Sequence, residues 1–235
     1  MLRVEIDVAK DVQINGATDF CLKYKCPAIV VPPDLVRNAA LTRSMARSKH
    51  KVIASIDWPK GNQYHMNKFR GVAIEALEAD GFEILLTPGT RTQMLKEVHY
   101  LSKFLRSHFP QTIEIRFVLG WFARDKEILE NMIDVIGQIP TPACIRTTHL
   151  TKLTSSDGSA ESQNEVIEKV IENKKLPVKI SGNINLQSRI KCNHASKFAC
   201  TLEQATSLQK ELSDHALNGL KTAVADDGAS APDNS

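Results

Sequence analysis

IEIRFVL, Ile113 to Leu119, is the stretch that decides the fold. Successive side chains of a β-strand point to opposite faces. Ile113, Ile115, Phe117 and Leu119 therefore share one face, and Glu114, Arg116 and Val118 share the other. The unbroken apolar face belongs against helices, which turns Glu114 and Arg116 inward.

Short β-branched, apolar runs of the same kind recur along the chain. Strands are expected at Leu2–Ile6, Ala28–Val31, Val52–Ile56, Glu83–Leu86, Ile113–Leu119, Ala143–Arg146, Val178–Ile180 and Lys197–Cys200. Between them run stretches of helical period. Met94, Leu95, Val98, Leu101 and Leu105 form one apolar stripe, Ile128, Leu129, Met132, Ile133 and Ile136 a second, and Val166, Ile167, Val170 and Ile171 a third. Strands separated by helices cannot pair as hairpins, so the sheet is expected to be parallel. About eight such units predict an α/β protein, a single-domain (β/α)8 TIM barrel over residues 1–220. A doubly wound open sheet is the alternative, although no GxGxxG follows the first strand. Residues 221–235, ending DDGASAPDNS, read as a disordered polar tail. Thr147 to Ser159 reads as a long polar loop after the sixth strand, and the seventh helix has room only from Leu186 to Asn193.

Composition narrows the class of function. Hydrophobic residues make up 42% and charged residues 24%, and the formal net charge is +3. That charge, without a run of Lys/Arg interleaved with aromatics, gives no reason to expect nucleic acid. No apolar run approaches the roughly 18 residues of a membrane span. Glu5 and Asp7 interrupt MLRVEIDVAK where a signal peptide needs an apolar core, so a cytoplasmic location is expected. Five cysteines, Cys21, Cys26, Cys144, Cys192 and Cys200, form no CxxC pair. They read as buried, reduced and inert thiols, with no zinc or other metal expected.

The alternation argument locates a candidate site. In RVEIDV, Val4, Ile6 and Val8 face outward and Glu5 and Asp7 inward; in FEILL, Glu83 turns inward. Lys179 lies opposite Val178 and Ile180, Arg146 shares a face with Cys144, and Asp57 faces inward if Ile56 faces outward. The lumen is thus expected to collect Asp7, Glu83, Arg116, Arg146 and Lys179, mostly near strand C-terminal ends. Charges are costly to bury unpaired, so these groups pair with one another, bind something, or both. One reading is a salt-bridge network without chemistry. The other is a polar pocket for an anionic or carbonyl-bearing small molecule.

Motifs along these strands resemble those of the deoxyribose-phosphate aldolase family. Ser55-Ile56-Asp57-Trp58-Pro59-Lys60-Gly61-Asn62 is similar to the family's F-P-x-G-x segment, and Ala79-Asp80 with Glu83 to its A-D-E-[IV]-D run. Ile145-Arg146-Thr147-Thr148 resembles [IV]-K-T-[ST], and Val178-Lys179-Ile180-Ser181-Gly182 resembles [VF]-K-x-[AS]-G. Ala195-Ser196-Lys197-Phe198 resembles A-S-R-[IFL]. Asp7 matches an acid on the first strand, and Arg116 stands where the family has a lysine. The resemblance implies a class I aldolase, working through a Schiff base without a cofactor on a small carbonyl or phosphosugar substrate.

The departures are as informative. The family's Schiff-base lysine falls on Arg146, whose guanidinium stays protonated and cannot be the nucleophile. The phosphate-binding glycines are thinned to Gly182-Asn183-Ile184-Asn185, Ala199-Cys200-Thr201-Leu202 and Leu150. Three readings follow. Lys179 attacks the carbonyl, with Arg146 as the neighbouring cation and Glu83 and Asp7 moving protons. Alternatively the barrel has lost lyase activity and acts as a ligand-binding or interaction module. In the third, Arg116 and Arg146 hold a carboxylate or phosphate for chemistry without a Schiff base. The substrate-binding set is expected to comprise Arg116, Asp57, Gly182, Asn183, Thr201 and Thr147, and the expected assembly is a homodimer.

Overall fold

The structure is a computed structural model and describes residues 4–56, 76–85, 90–108, 114–118, 131, 134–136, 150–159, 178–183 and 197–227. Eight strands fall within them: β1 Val4–Asp7, β2 Ala28–Val31, β3 Lys51–Ile56, β4 Gly81–Leu85, β5 Glu114–Val118, β6 Leu150–Ser159, β7 Val178–Asn183 and β8 Lys197–Thr201. The α-helices are α1 Ile14–Tyr24, α2 Val36–Met45, α3 Arg91–His108 and α4 Leu202–Asp227. Each strand pairs in parallel with the next, and β8 pairs with β1 from Val4↔Phe198 to Asp7↔Thr201. The parallel sheet thus curls until its first and last strands meet.

Alternation along the strands separates two environments. Val4, Ile6, Ile29, Val31, Phe82 and Ile84 belong to the large core that the sheet shares with its helices. Burying each such side chain stabilises the fold by roughly 1.5–3 kcal/mol. Ala28, Val30 and Ile53 form a separate small cluster on the inner face. In α4, Ala205 and Leu208 are buried and Leu202 and Leu212 pack against the same core, one stripe at helical spacing. Met94, Leu95 and Phe104 do the same for α3. The other two expected helical stripes lie mostly outside the described residues.

Two expectations are corrected. The polarity of LTKLTSSDGS predicts a loop, but Leu150–Ser159 is β6, paired with β5 at Arg116↔Leu150 and with β7 at Lys152↔Lys179. Threonine is β-branched and suits a pleated surface whatever its polarity, so the LTKLT run supports a strand. The expected strand Ala143–Arg146 lies outside the described residues. At the other end, α4 continues to Asp227, so residues 221–227 are helical where a tail without structure is expected.

Candidate active site

The inner face carries a charged cluster built from six residues on five strands among those described. Glu5 comes from β1, Glu83 from β4, Glu114 and Arg116 from β5, Lys179 from β7 and Lys197 from β8. The register places Glu83 beside Arg116 and Lys179 beside Lys197. Glu5, Glu83, Arg116 and Lys179 are each 0% exposed.

Arg116 organises the acids. Its Nη1 and Nη2 donate to the two Glu5 carboxylate oxygens at 2.5 and 2.9 Å, a bidentate pair of the strongest kind. Nη1 also donates to Glu83 Oε1 at 2.9 Å, and Nε to Glu114 Oε1 at 2.9 Å. Lys179 Nζ lies 2.8 Å from Glu5 Oε2 and hydrogen-bonds to Glu83 Oε1. Lys197 Nζ bridges Glu5 Oε1 at 3.3 Å and Glu114 Oε1 at 3.0 Å. Among the described residues three glutamates thus face three inner cations, a pairing that makes buried charge tolerable. Lys51, half exposed, adds a contact to Glu114 Oε2 at 3.0 Å.

The electrostatics divide the carboxylates by role. Burial pushes the Glu5 carboxyl up, but Lys179, Arg116 and Lys197 outweigh it and hold it down at about 2. Glu114 is likewise pushed up by burial and held down at about 2 by Arg116 and Lys197. Burial works against the Arg116 cation, yet Glu5, Glu83 and Glu114 raise its pKa above the ordinary arginine value. Glu5 is therefore a fixed anion. Glu83 accepts from both Arg116 Nη1 and Lys179 Nζ.

The sequence-derived set divides accordingly. Glu83, Arg116 and Lys179 come together as one cluster. Arg116, expected to hold substrate, has each guanidinium nitrogen donating to a glutamate. Its placement in this structure is among the three glutamates. Asp7 is half-buried, two residues beyond Glu5 on β1 and level with Thr201 in the register, toward the C-terminal mouth. Thr201, expected to touch substrate, is exposed and caps α4: the Gln204 N–H donates to Thr201 Oγ1 at 3.3 Å, and the Thr201 N–H donates to Gln204 Oε1 at 3.1 Å. Gly182 takes φ 133°, a conformation open to glycine and strained for other residues. Asn183 ends β7 opposite Ser159. Arg146, Asp57 and Thr147 lie outside the described residues.

Reading the sequence turns Glu5 inward but does not place it in the site, and it passes over Lys197 and Ser181. Ser181 lies two residues beyond Lys179 on the same face of β7. It is 1% exposed, and its Oγ has no hydrogen-bond partner among the described residues. Alternation alone could have found Ser181 and Lys197. Recognising Glu5 as the hub requires knowing that β8 lies beside β1. Among the described residues no group of three or more His, Cys, Asp or Glu could hold a metal ion, and no helix is long and apolar enough to cross a membrane.

At the N-terminal ends of β3 and β4 lies a second polar group. Asp80 pairs with Arg43 and accepts the Val52 N–H at 2.8 Å, so this member of the aldolase-like run braces the sheet below Glu83. His50 sits beside them, 4% exposed, with Nδ1 2.7 Å from Ser48 Oγ. Burial, assisted by Arg43, pushes His50 down to about 4. Below pH 6.5 the unfolded chain takes up a proton that the folded one refuses, so stability falls between about pH 6.5 and 4. Glu5 and Glu114, held near 2 against an ordinary 4.5, withdraw their contributions as pH falls from 4.5 through 2. Urea unfolding midpoints should therefore drop in two steps on acidification, and His50→Gln should remove the upper step alone.

Comparison with solved structures places this architecture. The aldolase QR15 superposes with a TM-score of 0.70 at 17% identity, over 92% of this chain and 96% of that one. The tetrameric deoxyribose phosphate aldolase from Aeropyrum pernix gives 0.68 at 14% identity, over 90% of each chain. Thiamine phosphate pyrophosphorylase from Pyrococcus furiosus gives 0.50 at 10% identity, over 89% of this chain and 96% of that one. No family profile and no curated protein matches the sequence. The likeness to deoxyribose-phosphate aldolases is one of fold, and the fold is shared with other chemistry.

Proposed function

We propose that this chain is a lyase of the deoxyribose-phosphate aldolase type, built as a complete single-domain (β/α)8 barrel over residues 1–220 with residues 221–235 outside it. Lys179 is its Schiff-base amine and Glu83 its proton carrier. The observation that carries this reading is the contact of Lys179 Nζ with Glu83 Oε1 on the inner face of the sheet. An ammonium has no lone pair, so attack on a carbonyl begins when the Lys179 proton crosses to Glu83. Glu5, held as an anion by Arg116 and Lys197, steadies the cluster while that proton moves. Addition of the amine to the carbonyl carbon and loss of water give the Schiff base, and Glu83 supplies the proton that the leaving water needs. Asp7 serves a second proton transfer at the mouth, and Arg146 supplies a fixed positive charge. Ser181, Gly182, Asn183, Asp57, Thr147 and Thr201 border the substrate, a small carbonyl compound or phosphosugar. A cytoplasmic homodimer working without a cofactor completes the reading.

A second reading has its own support. Lys179 is fully buried and shared by two carboxylates, an arrangement that also suits an aldolase-like barrel that binds a ligand without turnover. Acetaldehyde release from deoxyribose 5-phosphate separates the two. The lyase reading expects release by the wild-type chain and none above background by Lys179→Arg, which keeps the cation and loses the nucleophile. A folded wild-type chain that releases nothing supports the binding reading.

A further inference from the structure

Among the described residues three buried thiols lie outside the charged cluster: Cys21 near the end of α1, Cys26 just before β2, and Cys200 on β8. Two of them are brought together by how α1 stops. Lys25 takes the left-handed conformation, φ 55° and ψ 43°, and its N–H bonds back to the Cys21 carbonyl. The Cys26 N–H donates to the same carbonyl at 3.2 Å. This is a helix C-terminal motif closed by a six-to-one hydrogen bond. Its two flanking side chains normally make an apolar contact across the turn. Here those positions are Cys21 and Cys26, 2% and 4% exposed. The two thiols influence one another across that gap. Pro27 restrains Cys26 toward extended backbone, so both ends of the contact are fixed.

We propose that Cys21 and Cys26 are a dithiol modification site that closes to an intramolecular disulfide on exchange with a low-molecular-weight disulfide such as oxidised glutathione. A disulfide needs α-carbons about 4.4–6.8 Å apart and sulfurs facing one another, which a contact across this turn supplies without moving a strand. Their proximity makes the two thiols unequal. It holds the proton on Cys21, with burial adding to the effect, and it favours the thiolate at Cys26. Cys26 is therefore the attacking sulfur. Its thiolate displaces one glutathione thiol and forms a mixed disulfide. Cys21 then loses its proton, attacks the Cys26 sulfur and displaces the second. Two protein thiols and one small disulfide become one protein disulfide and two small thiols, with protons and electrons balanced. Leu22, Lys23 and Lys25 around the pair are exposed, so opening the last turn of α1 is enough to admit the oxidant. The inert reading of these two cysteines is revised, and the site does not depend on the lyase reading.

The test uses the folded full-length chain, equilibrated with oxidised glutathione, quenched in acid, then denatured and alkylated with maleimide. Trypsin cuts after Lys23 and Lys25, so a Cys21–Cys26 bond appears as two joined peptides. The expected result is two fewer alkylated thiols, that joined pair, its reversal by dithiothreitol and a raised thermal midpoint. Cys200→Ala should leave the bond intact and Cys26→Ala should abolish it, both with unchanged circular dichroism. Full alkylation of both thiols, a lasting glutathione adduct on Cys26, or a Cys26–Cys200 bond would each overturn the proposal.

Discussion

Arg116→Met is expected to lower folding stability by about 3–5 kcal/mol, the usual consequence of breaking a buried charge cluster from one side. Among the described residues, three glutamates would then share Lys179 and Lys197, with half-exposed Lys51 on Glu114, so the acids lose the cation that touches all three. Small domains are stable by only about 5–15 kcal/mol, so the loss should be evident as a large fall in urea midpoint. The cause is separable from lost packing. Adding Glu5→Gln to Arg116→Met removes one carboxylate charge and should restore part of the midpoint, although Glu5→Gln alone destabilises. A fall of less than about 1 kcal/mol for Arg116→Met, the value of an exposed pair, would mean that water reaches these groups.

Gly81→Ala is expected to cost about 3 kcal/mol, toward the upper end for overpacking. A methyl group there would stand 2.4 Å from the Glu114 carbonyl oxygen, 2.8 Å from Glu114 Cβ and 3.0 Å from Ile53 Cδ1. Two of these neighbours belong to β5, opposite Gly81 in the parallel ladder, and cannot turn aside as a flexible side chain would. Relief requires β4 and β5 to separate beneath Glu83 and Arg116, so the change reaches the charged cluster. Gly16→Ala supplies the contrast. Its methyl would meet only Leu202 Cδ2, at 3.1 Å, on a side chain that can shift, and alanine favours the helix by about 1 kcal/mol. Chemical denaturation of the two variants should therefore differ widely, with Gly16→Ala near the parent.

Much of this arrangement is legible in the strands themselves. IEIRFVL, VEID and FEIL each alternate apolar and charged residues, and the period alone turns Arg116, Glu5 and Glu83 away from the helices. The parallel order follows from helical stretches between strands. What alternation does not carry is adjacency. Glu5 is the hub because the curl of the sheet brings β1 beside β8 and faces it toward β5, which residues more than a hundred positions away decide. β6 escapes because LTKLTSSDGS has no apolar face to betray it, and pairing with β5 and β7 supplies what its own residues do not. Thr201 carries a different ambiguity. A hydroxyl at the mouth of a curled sheet is equally placed to bind a ligand or to cap the next helix, and here Gln204 takes it.

The claim on which the functional account rests is that the amine on the inner face of β7 reaches a carbonyl. Brief incubation with acetaldehyde, reduction with borohydride and peptide mapping examine it directly. The account predicts one ethyl group per chain on Lys179, absent after Lys179→Arg and reduced after Glu83→Gln. An unmodified Lys179 in a folded chain, with ethyl groups only on exposed lysines, would contradict it.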